Sequence, residues 1–222
     1  MNLFVDTAKW FIDPAHYRGS DAVQTRVFEH VELSALALIV AALIALPIGL
    51  YLGHIGRLGF VAVNVANIGR ALPSLALLAF ALPIAFAFGL GLGFWPTFIA
   101  LVPLAIPPML TNAYVGTRAV DRDVIESARG MGMAELGILR RIELPLALPL
   151  VLAGMRTSAV NVVATATLGA LVAGGGLGLQ EYDRLFAGAL LVALLAIGVE
   201  VAFGTFERRA TSPGLRAEPA TL

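Results

Sequence analysis

Between Asp121 and Pro145 the chain reads DRDVIESARGMGMAELGILRRIELP, where Asp121, Asp123, Glu126, Glu135 and Glu143 alternate with Arg122, Arg129, Arg140 and Arg141. Such charges pair with one another or dock onto a partner; in hydrocarbon each costs about 2.5–3.5 kcal/mol. Covalent chemistry has no carrier here. Cysteine is absent, Lys9 is the sole lysine, and His16, His30 and His54 are scattered without acidic or histidine neighbours at ligand spacing. No metal site and no nucleophile–base arrangement is therefore expected. There is no GxxxxGK[ST] run to cradle a nucleotide, and the glycines of AGGGLGLQEYD (173–183) do not form GxGxxG. The expectation is a protein that is not an enzyme, with no catalytic residue and no cofactor in this chain.

The charged stretch also carries helix signals. Asp123 followed by Glu126 reads as a capping box, Gly130 and Gly132 interrupt the helix, and Ala134 to Arg141 starts a second short one. Ile125, Ala128, Met131, Leu136 and Leu139 give this helix–turn–helix an apolar side, and Pro145 marks the return of the chain to the membrane.

The flanking sequence explains why a membrane is expected at all. The chain has 222 residues, of which 59% are hydrophobic and 14% charged, and its mean hydropathy is +0.86. Such a chain buries its apolar surface in lipid, and a formal net charge of zero argues against nucleic acid as a partner. Residues 1–30 lack the basic start and short apolar core of a signal peptide. Trp10, Phe11 and Tyr17 among charges suggest an amphipathic or flexible segment at the surface, broken by Pro14.

Apolar runs of membrane-crossing length then follow, giving an all-α polytopic chain of about five transmembrane helices. The first is 31–53, whose end, PIGLYLGHIGR, contains Pro and Gly breakers. The second is 58–85, a tilted or kinked helix interrupted by Arg70, Pro73 and Ser74. The third, 95–116, contains Pro103, Pro107, Pro108 and Asn112 and is expected to be irregular. After the charged loop come 146–172 and 186–206, separated by an outer loop, 173–183, expected to be flexible. Arg156, Thr157, Asn161 and Thr165 lie in the fourth span and Glu200 in the fifth. Thr157, Asn161 and Thr165 share one helix face that faces either neighbouring helices or a wet pathway. Glu200 is expected to pair with a buried arginine or to snorkel to the inner surface.

The chain thus divides into an N-terminal segment (1–30), a membrane-spanning body (31–207) with the charged loop 121–145, and a tail (208–222). Arginines set the orientation: Arg57, Arg118, Arg122, Arg129, Arg140, Arg141, Arg208, Arg209 and Arg216 fall on one side, facing only Lys9, Arg18, Arg26 and Arg184. The richer side is expected to be the cytoplasm, leaving the N-terminus outside and the C-terminus inside.

Glu126-Ser127-Ala128, then Gly132, then Ile142, Leu144 and Pro145 resemble the EAA loop of ABC-importer membrane subunits; Ser127 stands where that family usually has Ala. The likeness extends from about residue 30 to 205. Within the importer permeases it is most similar to the osmoprotectant branch, through Leu72-Pro73-Ser74-Leu75-Ala76, Asn112-Ala113-Tyr114-Val115-Gly116, Gly154-Met155-Arg156-Thr157 and Gly174-Gly175-Gly176-Leu177-Gly178. The resemblance implies a type I importer, methionine-importer-like fold with a cytoplasmic coupling helix. It also implies uptake of a compatible solute such as glycine betaine, choline, carnitine or proline. Partners implied are ABC ATPase subunits that bind the ATP, a separate extracytoplasmic binding protein (the tail after Arg209 leaves no room for a fused one), and a second permease, identical or paralogous. The methionine-importer branch is similar in span count. From another class, a self-sufficient secondary transporter would use Arg70, Arg156 and Glu200 as an ion-coupled site.

Overall fold

The computed structural model describes residues 3–19, 22–56, 59, 64, 67, 69, 71–178 and 182–211, and among these every regular element is helical. In chain order they are α1 (Leu3–Ile12), α2 (Val23–Ile55), α3 (Ser74–Ala87), α4 (Phe94–Arg118), α5 (Arg122–Gly130), α6 (Glu135–Ile138), α7 (Leu144–Thr165) and α8 (Tyr182–Ala210). A 3₁₀ turn covers Pro14–Tyr17, a π-turn Leu139–Glu143 joins α6 to α7, and a 3₁₀ segment Ala166–Val172 follows α7.

Among the described residues, four helical stretches are long and apolar enough to cross a membrane: Val23–Ile55, Phe94–Arg118, Glu135–Val172 and Phe186–Ala210. The expected second span does not form one helix. Pro73 is extended (φ −61°, ψ 133°), so α3 starts afresh at Ser74. At 14 residues α3 is about 21 Å long, short of a hydrocarbon core of about 30 Å. Most of residues 57–70, including Arg70, lie outside the described residues.

Other expectations also change. The helix expected from residue 31 begins at Val23, and its Pro and Gly residues near 47–53 do not break it. Gly49 and Gly53 stand one turn apart, and a Cβ on either would meet α4: 2.7 Å from the Leu110 carbonyl oxygen or 2.6 Å from Thr117 Cβ. They are packing residues that let two helix backbones approach, as small residues do in lipid where apolar burial supplies no driving force. The helix expected to be irregular, α4, is continuous through its prolines. There Asn112 Nδ2 donates to the Pro108 carbonyl at 2.8 Å.

The chain forms two compact units. The first comprises Met1–Val40, Leu72–Ala105 and Ala159–Val199. Its core includes Leu78, Ala81, Ala100 and Val172. His30 is fully buried there, with Nε2 2.8 Å from the Val163 carbonyl and Nδ1 accepting from the Leu177 N–H at 3.4 Å. One ring nitrogen donates and the other accepts, so this histidine is a structural crosslink. The second unit comprises Ala41–Ala71, Ile106–Ser158 and Glu200–Leu222. Ala113, Ala147 and Val151 form its core, with Leu46, Leu50 and Met155 packed against them.

Candidate functional site

The charged loop folds as a self-supporting unit. Its first helix, α5, is capped by Asp121, whose carboxylate accepts from the Asp123 N–H at 2.9 Å. The capping box expected from Asp123 and Glu126 is therefore displaced: Asp123 lies inside the first turn, and Glu126 is exposed. The reason is geometric. An N-cap must be extended, and Asp121 is (φ −58°, ψ 130°) while Arg122 has already entered the helix.

At its other end α5 closes in a complete Schellman arrangement. Met133 N–H donates to the Ala128 carbonyl at 3.1 Å and Gly132 N–H to the Arg129 carbonyl at 2.9 Å. This requires Gly132 in the left-handed region, and its φ is +81°. No atom lies within 4 Å of where a Gly132 Cβ would stand. Of the two reasons for a glycine here, a tight turn and a close approach, the turn is the one realised within this chain.

The turn folds α5 back toward α6. Ile125, Ala128 and Ile138 are buried together, with Val120, Met133 and Ile142 packed on them. Ile125 and Ala128, part of the apolar side read from the sequence, are thus spent inside the loop. What remains outside is Val124 at 44%, Met131 at 79% and Leu136 at 56% exposure. Val124, Ser127 and Met131 follow the i, i+3, i+7 spacing of one helix face, with the small Ser127 between two larger apolar residues.

Polar contacts tie the loop further. Arg129 meets Glu135 with Nε–Oε1 at 2.7 Å and Nη2–Oε2 at 2.9 Å, across the turn. That hydrogen bond holds the Arg129 guanidinium above its ordinary pKa. His54, in the last turn of α2, places Nδ1 2.6 Å from Glu143 Oε2 and Nε2 3.2 Å from Glu135 Oε2. Glu143 is buried and His54 is largely covered, their side chains 5% and 9% exposed. Sequence reasoning missed this pair, because residues 89 apart carry no spacing signal. The available signs were a histidine closing an apolar span and a glutamate directly before Leu144-Pro145.

Pro145 does not mark a new element. The helix runs on from Glu135, and the π-turn is what allows it. Proline at 145 cannot donate and would crowd the carbonyl of residue 141. Widening the turn, with Leu144 N–H reaching the Leu139 carbonyl, relieves that conflict and turns Glu143 inward.

The motif residues therefore divide. Ala128 is buried, Ile142 and Leu144 are half-buried, and Glu126, Ser127, Gly132 and Pro145 face outward. Of the residues expected to line a pathway, Ser74 and Thr165 share a crevice of about 10 Å³, room for a single water. Arg156 is paired, with Nε 3.5 Å from Glu200 and Nη1 3.3 Å from Glu207. The pairing expected of Glu200 is present, and Glu207 joins it. Thr157 and Asn161 are exposed, one turn apart on α7, and Thr157 Oγ1 bonds back to the Ala153 carbonyl at 3.0 Å.

Comparison with known proteins gives this geometry its context. Residues 45–212 match the family described as binding-protein-dependent transport system inner membrane component. The choline transport system permease protein OpuBB of Bacillus subtilis is 35% identical over 199 residues, covering 86% of this chain and 89% of that protein. The carnitine transport permease protein OpuCB of Listeria monocytogenes is 37% identical over 202 residues, covering 87% and 89%. Among solved structures, an inward-facing form of the MetNI methionine ABC transporter superposes with a TM-score of 0.75 at 22% identity. It covers 86% of this chain and 96% of that one, and at that identity it shows the fold alone.

Proposed function

The chain belongs to the binding-protein-dependent transport system inner membrane component family, and from that premise we propose that it is the permease of an ATP-driven importer of a compatible solute. It is a multi-pass membrane protein and not an enzyme. Hydrolysis of ATP falls to partner ATPase subunits, and delivery of solute to an extracytoplasmic binding protein. The relatives named for choline and carnitine transport support choline or carnitine as substrate, and glycine betaine and proline are proposed beside them as compatible solutes. Family membership displaces the secondary-transporter alternative, and likeness to a methionine importer carries fold without substrate. In this reading the N-terminus is outside and the loop 121–145 is cytoplasmic.

The observation that carries the mechanism is the self-supporting loop with Val124, Ser127 and Met131 turned outward. A short helix presented this way fits a groove in a partner, with apolar anchors about a small central residue. Glu126 makes no ion pair or hydrogen bond among the described residues and is free to meet a basic group of the ATPase. ATP-driven closure of the ATPase pair displaces the loop, and α4 and α7, joined to its ends, move with it. The exposed Thr157 and Asn161 support a second permease beside α7, since polar side chains turned to lipid are disfavoured. A wet pathway between two permeases satisfies them.

The test is uptake of radiolabelled glycine betaine, choline, carnitine, proline and methionine by cells expressing this permease with its ATPase and binding protein. ATP-dependent uptake of a compatible solute is expected; uptake of methionine alone overturns the substrate class. Gly132→Asp should strain the turn and place a charge on the docking surface. Uptake and co-purification of the ATPase should both be lost while membrane insertion persists. Normal uptake together with normal co-purification would falsify the docking role.

A further inference from the structure

His54 has no place in the family motif, yet it makes the most buried polar contact of the loop. The loop is covalently joined to α4 through Ala119 and Val120 and to α7 through the π-turn. Its link to α2 is noncovalent: His54 Nδ1 to Glu143 at 2.6 Å and Nε2 to Glu135 at 3.2 Å. Glu135 in turn holds Arg129 of α5 in a two-point ion pair. An unbroken chain of polar contacts thus runs from the coupling helix to the last turn of α2.

Both ring nitrogens face a carboxylate oxygen, so the full clasp needs two N–H donors. The adjoining cavity, which Glu143 and His54 line, is also lined by Arg118, Arg122, Glu126 and Arg129, and among the described residues no ion pair joins Arg118, Arg122 or Glu126 to the clasp. Gly49 and Gly53 bring the inner part of α2 into close approach with α4.

We infer that His54 is a positioning residue that transmits displacement of the coupling loop to α2, making the loop a three-helix lever instead of a link between α4 and α7 alone. The inference rests on the reading of loop 121–145 as the ATPase dock. Without the clasp, the ATPase still docks and hydrolyses ATP, but α2 follows the loop only through its packing on α4.

The experiment compares His54→Phe, His54→Arg and the double variant His54→Phe/Glu143→Leu, each in the complete importer with ATPase and binding protein in proteoliposomes. ATPase co-purification, ATP hydrolysis and solute taken up per ATP are measured together. His54→Phe should keep co-purification and hydrolysis while uptake per ATP falls at least about three-fold, in the range that coupling residues reach. His54→Arg, which retains donors for both carboxylates, should recover most of it. The double variant removes the unpaired carboxylate and packs apolar groups in its place, so it separates folding from transmission. If it assembles and stays uncoupled, the inference stands. Wild-type uptake per ATP in His54→Phe or in the double variant overturns it. Loss of ATPase co-purification in the double variant also overturns it, by making the clasp part of the dock. Failure of the unsubstituted permease to bind an ATPase refutes the functional reading itself.

Discussion

The glycine-containing turn at 130–133 and the glycine-rich turn at 173–178 look alike in sequence and are held by opposite means. The first supports itself: its cap, its closing hydrogen bonds and its apolar cluster come from residues 120–142. The second is held by a distant helix. Glu29 Oε2 accepts from the Gly176 N–H at 3.0 Å, and His30 Nδ1 from the Leu177 N–H at 3.4 Å, both across 147 positions. Expected to be flexible, residues 173–178 are instead pinned, because Glu29 and the buried His30 accept from the backbone donors of Gly176 and Leu177. A self-supported turn can move as a piece and keep its shape. A turn held by another helix reports on that helix.

The comparison can be broken hardest at the centre of the first turn. Ile138 is fully buried under α5. Ile138→Ala should destabilise the loop by about 2–5 kcal/mol, read as lowered thermal stability of the detergent-solubilised protein and as protease cleavage between 121 and 145. Unchanged cleavage would mean the cluster does not hold the loop.

Substituting one left-handed glycine from each turn sharpens the contrast. Gly132 and Gly176 have φ of +81° and +74°, so alanine at either meets a conformational cost of about 1–2 kcal/mol. Only at Gly176 is there also a neighbour, His30 Nδ1, 3.1 Å from the added Cβ. Gly176→Ala should therefore lower thermal stability more than Gly132→Ala, and equal losses would remove the distinction between the turns. The smallest expected effect is at the cap. Asp121→Ala should cost about 1 kcal/mol and fray α5, seen as faster hydrogen exchange at residues 122–125, with no change at 173–178.

Composition and hydropathy made the membrane class legible, and the spacing of Glu126, Gly132 and Pro145 made the loop legible, because both signals are local. Helix continuity was not. Proline and glycine read as breakers near 47–53 and in α4, but packing against neighbours overrides local propensity, as Gly49 and Gly53 show against α4. Pro145, where the sequence reading returns the chain to the membrane, sits within a continuous helix because a π-turn absorbs it. The partition of the loop into inner and outer faces needed the third dimension, since Ile125, Ala128 and Met131 satisfy one spacing and only Met131 is exposed. Contacts such as His54 with Glu143, or Glu29 with Gly176, join residues far apart and leave no periodic trace.

The π-turn at Leu139–Glu143 has a consequence for the phase of the helix that contains it. A wider turn acts as an added residue in a rod of 3.6 residues per turn, and one residue is worth about 100° of rotation. Everything before it on that rod, α6 with Glu135 and Ile138, is set in azimuth against everything after it. Deleting one residue between Leu139 and Glu143 would let the rod rewind to an ordinary helix and swing Ile138 from its cluster. Insertions and deletions tolerated in most connecting segments are therefore barred from this one, whose length is a clocking element between docking surface and span.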